Sequence, residues 1–341
     1  MSRASRKARR ASAPPPSGGL PPAFLERLAQ IVPADRLDAV VTSFHAPSAV
    51  GFRLAPRVPG ADAALEALAA EGIPFSAVDG VPGAFTVPPG LRAALLASAP
   101  YAAGQVYVQN VSSQLPVHAL APQPGERVLD LCAAPGSKTG QIAAVDGVEV
   151  VAVEKVRGRA YKLRANLLAQ SLPHVEVRTA DGAHVWRHEP EAFDRVLLDA
   201  PCSTEGRFRA DDAETTRYWS PRKIQEMRDA QRRLLIGAVQ ALRPGGTLIY
   251  ATCTFAPEEN EGSLSRALRT FGDAVEVVDA GLPLGGAVGR HAQPPLAAWR
   301  DRAFHPGTAR ALRVLPGEGL EAFFVARIVK HGSTLRTSDA D

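Results

Sequence analysis

Cysteines, aromatic rings and long apolar runs are all scarce in this chain. Its 341 residues include three cysteines. Cys132, Cys202 and Cys253 are an odd, widely spaced set with no CxxC and no Cys/His cluster. That pattern disfavours both a disulfide framework and a zinc site, so no metal is expected and the thiols are expected to be reduced in a cytoplasmic protein. Aromatic residues make up 6% of the chain, too few to claim a base-stacking platform in its first third. No stretch reaches the roughly 18 consecutive apolar residues of a membrane span, so no membrane partner is expected. The basic opening MSRASRKARRASAPPPSGG lacks the apolar segment of a secretory signal. Residues 1–20 read as a disordered basic tail, either simply solvated or an arm that holds nucleic acid without sequence preference.

What is present is an ordinary globular composition, with 45% hydrophobic and 22% charged residues and a net charge of +4. The small positive excess leans toward polyanionic partners. PPAFLERLAQIV (Pro21 to Val32) and DRLDAVVTSF (Asp35 to Phe44) have helical spacing. FRLAP, the helical ADAALEALAAEG and the short apolar PGAFTVPP follow. A small α/β domain is therefore expected over residues 21–115. From about residue 120 strands and helices alternate regularly. GERVLDLC, VEVVAVE, VEVRTAD, FDRVLLDAP and PGGTLIYATCT read as strands, and EAFFVARIVK as a terminal one. SPRKIQEMRDAQRRLLIGAVQAL reads as a long helix with a Ser cap and Pro just inside it. EENEGSLSRALRTF reads as a helix whose acidic first turn suits its dipole. The pattern predicts an α/β catalytic domain over residues 116–332, Rossmann-like with a mostly parallel, doubly wound sheet, and a disordered tail at 333–341.

Ligands of such sheets lie outside the carboxyl ends of the strands. Asp130, Cys132, Glu154, Asp181, Asp199, Cys202 and Cys253 all fall at or just past those ends. The DLCAAPGSKTG loop is neither GxGxxG nor a P-loop, which argues against a dinucleotide or a nucleoside triphosphate. Glu154 can accept both ribose hydroxyls of a nucleoside, and Asp181 an adenine amino proton. An adenosine-bearing cofactor without a pyrophosphate fits, namely S-adenosylmethionine, whose positive charge also suits Asp199. Cys132 reads as a small buried residue. Taken singly, Cys202 and Cys253 are as readily core cysteines as reactive ones; an accessible thiol near basic residues can ionise and attack.

The motifs DLCAAPGSKT, DAPCS (Asp199 to Ser203) and ATCTFAPEENEG resemble those of the Nop/Sun family of RNA 5-methylcytosine methyltransferases. EGRFRADD followed by YWSP is most similar to the bacterial members that modify 16S ribosomal RNA. The resemblance runs over roughly residues 20–332, including Phe52–Arg53 and QNVSS (Gln109 to Ser113). It departs where many relatives carry an Asn shortly after the FR pair, and at Asn110, where an acidic residue is common. It implies that Cys132, Ala133, Ala134, Pro135, Gly136, Ser137, Lys138, Glu154, Asp181 and Asp199 contact S-adenosylmethionine. It further implies that Cys253 is the nucleophile and that Cys202 helps release the product; thiolate addition develops charge on the base, which Asp199 is expected to stabilise as the proton partner of cytosine N3. Arg53, Arg207 and Arg209 are expected to touch RNA. The implied partner is 16S rRNA or the small ribosomal subunit, with transfer RNA the alternative and a monomer the expected state. The chain is expected to end without the further RNA-binding domain of several bacterial relatives, which leans toward transfer RNA.

Overall fold

The computed structural model describes residues 19–335. The tails expected at 1–20 and 333–341 lie, but for their innermost residues, outside the described residues. Two helices open the chain, α1 (Pro22–Ile31) and α2 (Ala34–Ser43). A small antiparallel sheet follows, built from β1 (Val50–Leu54), β2 (Ser76–Ala77), β3 (Ala84–Val87) and β4 (Val106–Val108) in the order β2-β3-β1-β4. Short helices α3 (Ala64–Ala70), α4 (Arg92–Ala97) and α5 (Ala99–Ala102) accompany it. Phe52, Leu68, Val87, Leu95 and Val106 form its own core.

The opening helices do not share that core. Phe24, Leu28, Ile31 and Val40 pack instead with Phe208, Phe255 and Trp299 of the larger unit. Phe24 lies at the centre, its ring 4.9 Å from Phe208, 5.6 Å from Phe44 and 5.9 Å from Trp219. Arg27 secures the contact with a two-pronged bond to Glu258, at 2.7 and 3.2 Å. The small α/β unit and the helices at 22–43 thus have separate cores, the helices packing on the larger unit.

After α6 (Leu115–Leu120) comes the regular alternation: β5 (Arg127–Leu131), α7 (Ser137–Ala143), β6 (Glu149–Val153), α8 (Arg157–Ala169), β7 (Glu176–Arg178), β8 (Phe193–Asp199), α9 (Pro221–Ala241) and β9 (Leu242–Thr252). The chain closes with α10 (Glu261–Phe271), β10 (Val275–Val278), α11 (Gly286–His291), β11 (Ala292–Gln293), the two-stranded β12 (Ala298–Trp299) and β13 (Arg302–Ala303), β14 (Leu312–Val314) and β15 (Phe323–Lys330). The main sheet runs β7-β6-β5-β8-β9-β15-β14-β11, with β10 also on β15. The first five strands are parallel, as expected. β15 inserts antiparallel beside β9, and β14 and β10 share its other edge.

The alternation of each strand feeds two cores. Val128, Val150, Leu197, Ile249 and Ala251 point to one face, and Leu129, Val151, Leu198, Leu248 and Tyr250 to the other. Helix α9 is set as its sequence predicts: the Ser220 hydroxyl accepts from the Lys223 N–H at 3.1 Å, and Pro221 opens the helix. Its charge run is largely paired within the helix itself, Arg222 with Glu226 and Arg228 with Asp229. Helix α10 begins later than expected, at Glu261, so Glu258 and Glu259 lie ahead of it rather than in its first turn. Among the described residues no helix is long and apolar enough to cross a membrane.

Candidate active site

The chain leaves β5 to build β6 and β7 on one side, then returns to build β8 and β9 on the other. That reversal opens a crevice at the carboxyl ends, where doubly wound sheets hold ligands. A cavity of about 650 Å³ occupies it, lined by Cys132, Ala134, Pro135, Ser137, Lys138, Glu154, Asp181, Asp199, Cys202, Arg207 and Cys253 among others. Of the expected site residues, Ala133, Gly136, Arg53 and Arg209 do not line this space, and the others meet in it.

On the β5–β6–β7 side the loop turns hard. Cys132 has φ 66° and Gly136 φ 107°, left-handed values that let the chain double back into α7. At Gly136 it is this φ that favours glycine, since the nearest atom to an added Cβ, at 2.9 Å, is the movable tip of the Leu163 side chain. Asp130 is buried and accepts from the Thr139 hydroxyl at 2.6 Å, pinning the loop from beneath; burial raises its carboxyl to about 7. The Cys132 thiol is pushed up by burial first and by the Asp130 carboxylate next, which keeps it protonated and unreactive. Glu154 is 2% exposed and accepts from the Val156 N–H at 2.8 Å. Its second oxygen lies 3.3 Å from Arg159 yet makes no hydrogen bond. Such an unpartnered buried oxygen needs a donor, and ribose hydroxyls would supply it. Asp181 accepts from the Ala183 N–H at 3.1 Å and from Lys155 at 2.8 Å, and the Lys155 bond is the main reason its carboxyl lies below the usual range.

On the β8–β9 side the two cysteines come together. Cys253 continues the face of Ile249 and Ala251, two residues per step, and so points into the crevice. Cys202 follows β8 in the neighbouring loop, and the two sulfurs lie 3.4 Å apart. Cys253 is held below the usual thiol value, first by the hydrogen bond from Cys202 and then by the nearby Arg207 guanidinium; burial opposes both. Cys202 is raised by that same bond and by burial. The pair is thus driven in opposite directions, the Cys253 thiol down toward ionisation and the Cys202 thiol up. Asp199 accepts from the Lys138 ammonium at 2.6 Å, and that buried ammonium also donates to Ser113 at 2.7 Å.

Buried polar residues hold both cysteine loops. Glu205 accepts from the Trp219 indole at 2.8 Å, the Thr254 hydroxyl at 2.9 Å and the Phe255 N–H at 3.1 Å. Glu259 accepts from the Ser203 N–H at 3.0 Å and the Gln231 amide at 2.7 Å; burial raises its carboxyl to about 8. Gln231, fully buried on α9, also donates to Pro201 O at 2.9 Å. Gly206 N–H donates to Cys253 O at 3.0 Å, and a Cβ there would meet Ala322 O at 2.5 Å. Glu261 takes a two-pronged bond from Arg313, both arms 2.6 Å. The EENE stretch is structural in every acidic member: Glu258 grips α1, Glu259 the Cys202 loop and Glu261 the strand β14.

The arginines divide. Arg207 lines the cavity, with Glu321 3.5 Å away. Arg53, expected to face RNA, is instead 5% exposed and spends its donors on Gln109, Leu54 O, Ser137 O and Gln170. Burial lowers its guanidinium to about 10; it is an internal strut joining the small sheet to the cofactor loop. Arg209 is not at the cavity either, because Asp211 holds it in a local turn with two 3.0 Å bonds. Sequence reading missed Glu205, Gln231 and Ser113 as supports. Glu205 and Ser113 lie in the quoted motifs, but their supporting role shows only through partners 14 to 50 residues away.

The fold and this crevice define the class of S-adenosylmethionine-dependent methyltransferases. The model of the family described as 16S rRNA methyltransferase RsmB/F matches residues 117–329, and the chain belongs to that family. It is 36% identical over 322 residues to the ribosomal RNA small subunit methyltransferase F of Cronobacter sakazakii, across 92% of this chain and 64% of that relative. It is 37% identical over 233 residues to the tRNA (cytosine(49)-C(5))-methyltransferase of Pyrococcus abyssi, across 67% of this chain and 72% of that relative. A solved methyltransferase homologue from Pyrococcus horikoshii superposes with a TM-score of 0.73 at 27% identity, over 91% of this chain and all of that one. The chain spans less than two thirds of the length of the Cronobacter sakazakii relative, and 72% of the Pyrococcus abyssi one.

Proposed function

We propose that this protein transfers a methyl group from S-adenosylmethionine to carbon 5 of a cytosine in RNA, with 16S ribosomal RNA as the first candidate substrate. The observation that carries this reading is the pair of sulfurs 3.4 Å apart in a cavity that also presents Asp199 and a Glu154 oxygen that accepts no hydrogen bond. Carbon 5 of cytosine is too weak a nucleophile to take an alkyl group unaided. Addition of the Cys253 thiolate to carbon 6 makes carbon 5 enamine-like. Asp199, steadied by Lys138, is placed to hold a proton at N3 while the ring carries extra electron density. The cofactor supplies an electrophilic methyl carbon, and Glu154, Asp181 and the 132–138 loop would hold its nucleoside and amino-acid ends.

Release needs the proton on carbon 5 to leave before the Cys253–carbon bond breaks. Cys202 is suited to take it. Once the Cys253 sulfur is bonded to carbon, its charge is gone and with it the main cause that keeps Cys202 protonated. Cys202, which is only part-buried, can then give its proton to water and, as a thiolate near Arg207, take the carbon 5 proton, after which the Cys253–carbon bond breaks and Cys253 leaves as thiolate. The base must leave its stack for both faces of the ring to be reached.

The test is methyl incorporation by the purified protein into 16S rRNA, small subunits and transfer RNA, followed by bisulfite sequencing. A single new 5-methylcytosine in one of them is expected; methylation at any atom other than cytosine carbon 5 overturns the reading. A transfer RNA substrate is the second reading, supported by the Pyrococcus abyssi relative, of which this chain covers the larger share.

A further inference from the structure

A second cavity, of about 310 Å³, adjoins the first and shares Cys202, Thr204 and Arg207 with it. Its other walls include Tyr218, Trp219 and Lys223. The floor is rigid: Trp219 donates its indole N–H to Glu205, the residue that also holds Thr254 beside Cys253. The rim is open. Tyr218 is 74% exposed, with the Arg217 guanidinium 5.3 Å from its ring centroid. Glu214, which also borders the space, is neutralised by Arg217 at 3.1 Å. An exposed ring, a fixed indole and cationic side chains around one concavity are the features that take a nucleobase by stacking and its phosphate by charge.

Resting on the reading of the larger cavity as the cytosine site, we propose that this second cavity is a subsite for the nucleotide next to the target cytosine, with Tyr218 stacking on its base. Cys202, Thr204 and Arg207 line both spaces, so a strand crossing this shared wall would carry the target base on the Cys253 side and its neighbour on the Tyr218 side. The inference concerns single-stranded RNA. A neighbour held in a duplex stack could not enter.

The test uses the full chain and fluorescent 12-nucleotide RNAs, uridine throughout except for one cytidine, with the base on one or the other side of the cytidine removed in two further oligomers. Binding is read by anisotropy and methyl transfer by labelled S-adenosylmethionine. Tyr218→Ala is expected to weaken binding roughly tenfold, the scale of one lost base stack, and to raise KM with kcat held. Tyr218→Phe should restore both. Removal of one flanking base should reproduce the loss in the native protein and add nothing in Tyr218→Ala. Tyr218→Ala with native affinity, or a loss equal for all oligomers, overturns the subsite. The binding arm needs no methyl transfer, so absent methylation would count against the proposed reaction alone.

Discussion

The two halves of the crevice are built in different ways. On the β5–β6–β7 side each carboxylate is held by its own neighbourhood: Glu154 by the N–H two residues on, Asp181 likewise by Ala183, Asp130 by Thr139 nine residues on. On the β8–β9 side the cysteines are held by buried groups remote in sequence, Glu205 reaching 50 residues to Phe255 and Glu259 reaching 56 to Ser203. A locally built site can be changed one residue at a time with local effect. A site built by a buried polar network fails as a unit, because each lost partner strands another inside.

The sharpest separation of the halves is at the cysteines. Cys253→Ala is expected to abolish methyl transfer while calorimetric affinity for S-adenosylmethionine stays within about twofold, since Cys253 is not among the groups suited to the nucleoside. Native turnover in that variant would remove the thiolate from the reaction. Cys202→Ala is expected to stop later, with protein and RNA joined covalently; denaturing gels showing no such band would move the proton to another group.

Glu205→Ala attacks the network rather than the chemistry. Three buried donors lose their acceptor at about 1–3 kcal/mol each, so a loss of about 3 kcal/mol or more in unfolding free energy is expected, together with a large fall in kcat. A urea titration with unchanged midpoint would show that this half is no more interdependent than the other. The same contrast explains what the sequence made legible. The five parallel strands, the cofactor loop and both cysteine motifs are encoded in contiguous residues. The Arg53 strut, the placement of α1 and α2 on the cysteine loops, and the antiparallel edge of β10 and β14 depend on partners far along the chain. An arginine in a short strand gives no sign of whether water or Gln170 will receive it. A three-residue strand such as β14 carries too few residues for a period to register.

Arg207→Ala tests the electrostatics of the thiolate. The guanidinium is the second cause holding Cys253 low, after Cys202, while Asp199 and Glu321 push the other way. Its loss leaves only the Cys202 bond to oppose burial and those carboxylates, so the Cys253 thiol value rises. Activity should fall at neutral pH and recover as pH increases, moving the alkaline-rising limb of the kcat profile upward with little change in cofactor affinity. An unshifted limb would mean that Cys202 alone sets the thiolate.

The smallest change is expected from Lys155→Ala, on the local half. Lys155 is 71% exposed and Asp181 34%, so their 2.8 Å ion pair is screened by water and contributes about 0.5 kcal/mol or less. Because the pair depresses the Asp181 carboxyl, its contribution is present above the unfolded carboxylate value and disappears as pH falls through the folded one. The variant should therefore match the native protein in strong acid and lag it slightly at neutral pH. Asp181 keeps the Ala183 N–H, so its orientation survives and cofactor affinity should stay within about threefold. A tenfold loss of cofactor affinity, measured by calorimetry at moderate salt, would instead make the Lys155 ammonium part of the binding set. The β5–β6–β7 side would then be as interdependent as the cysteine side, and the contrast between the two halves would not hold.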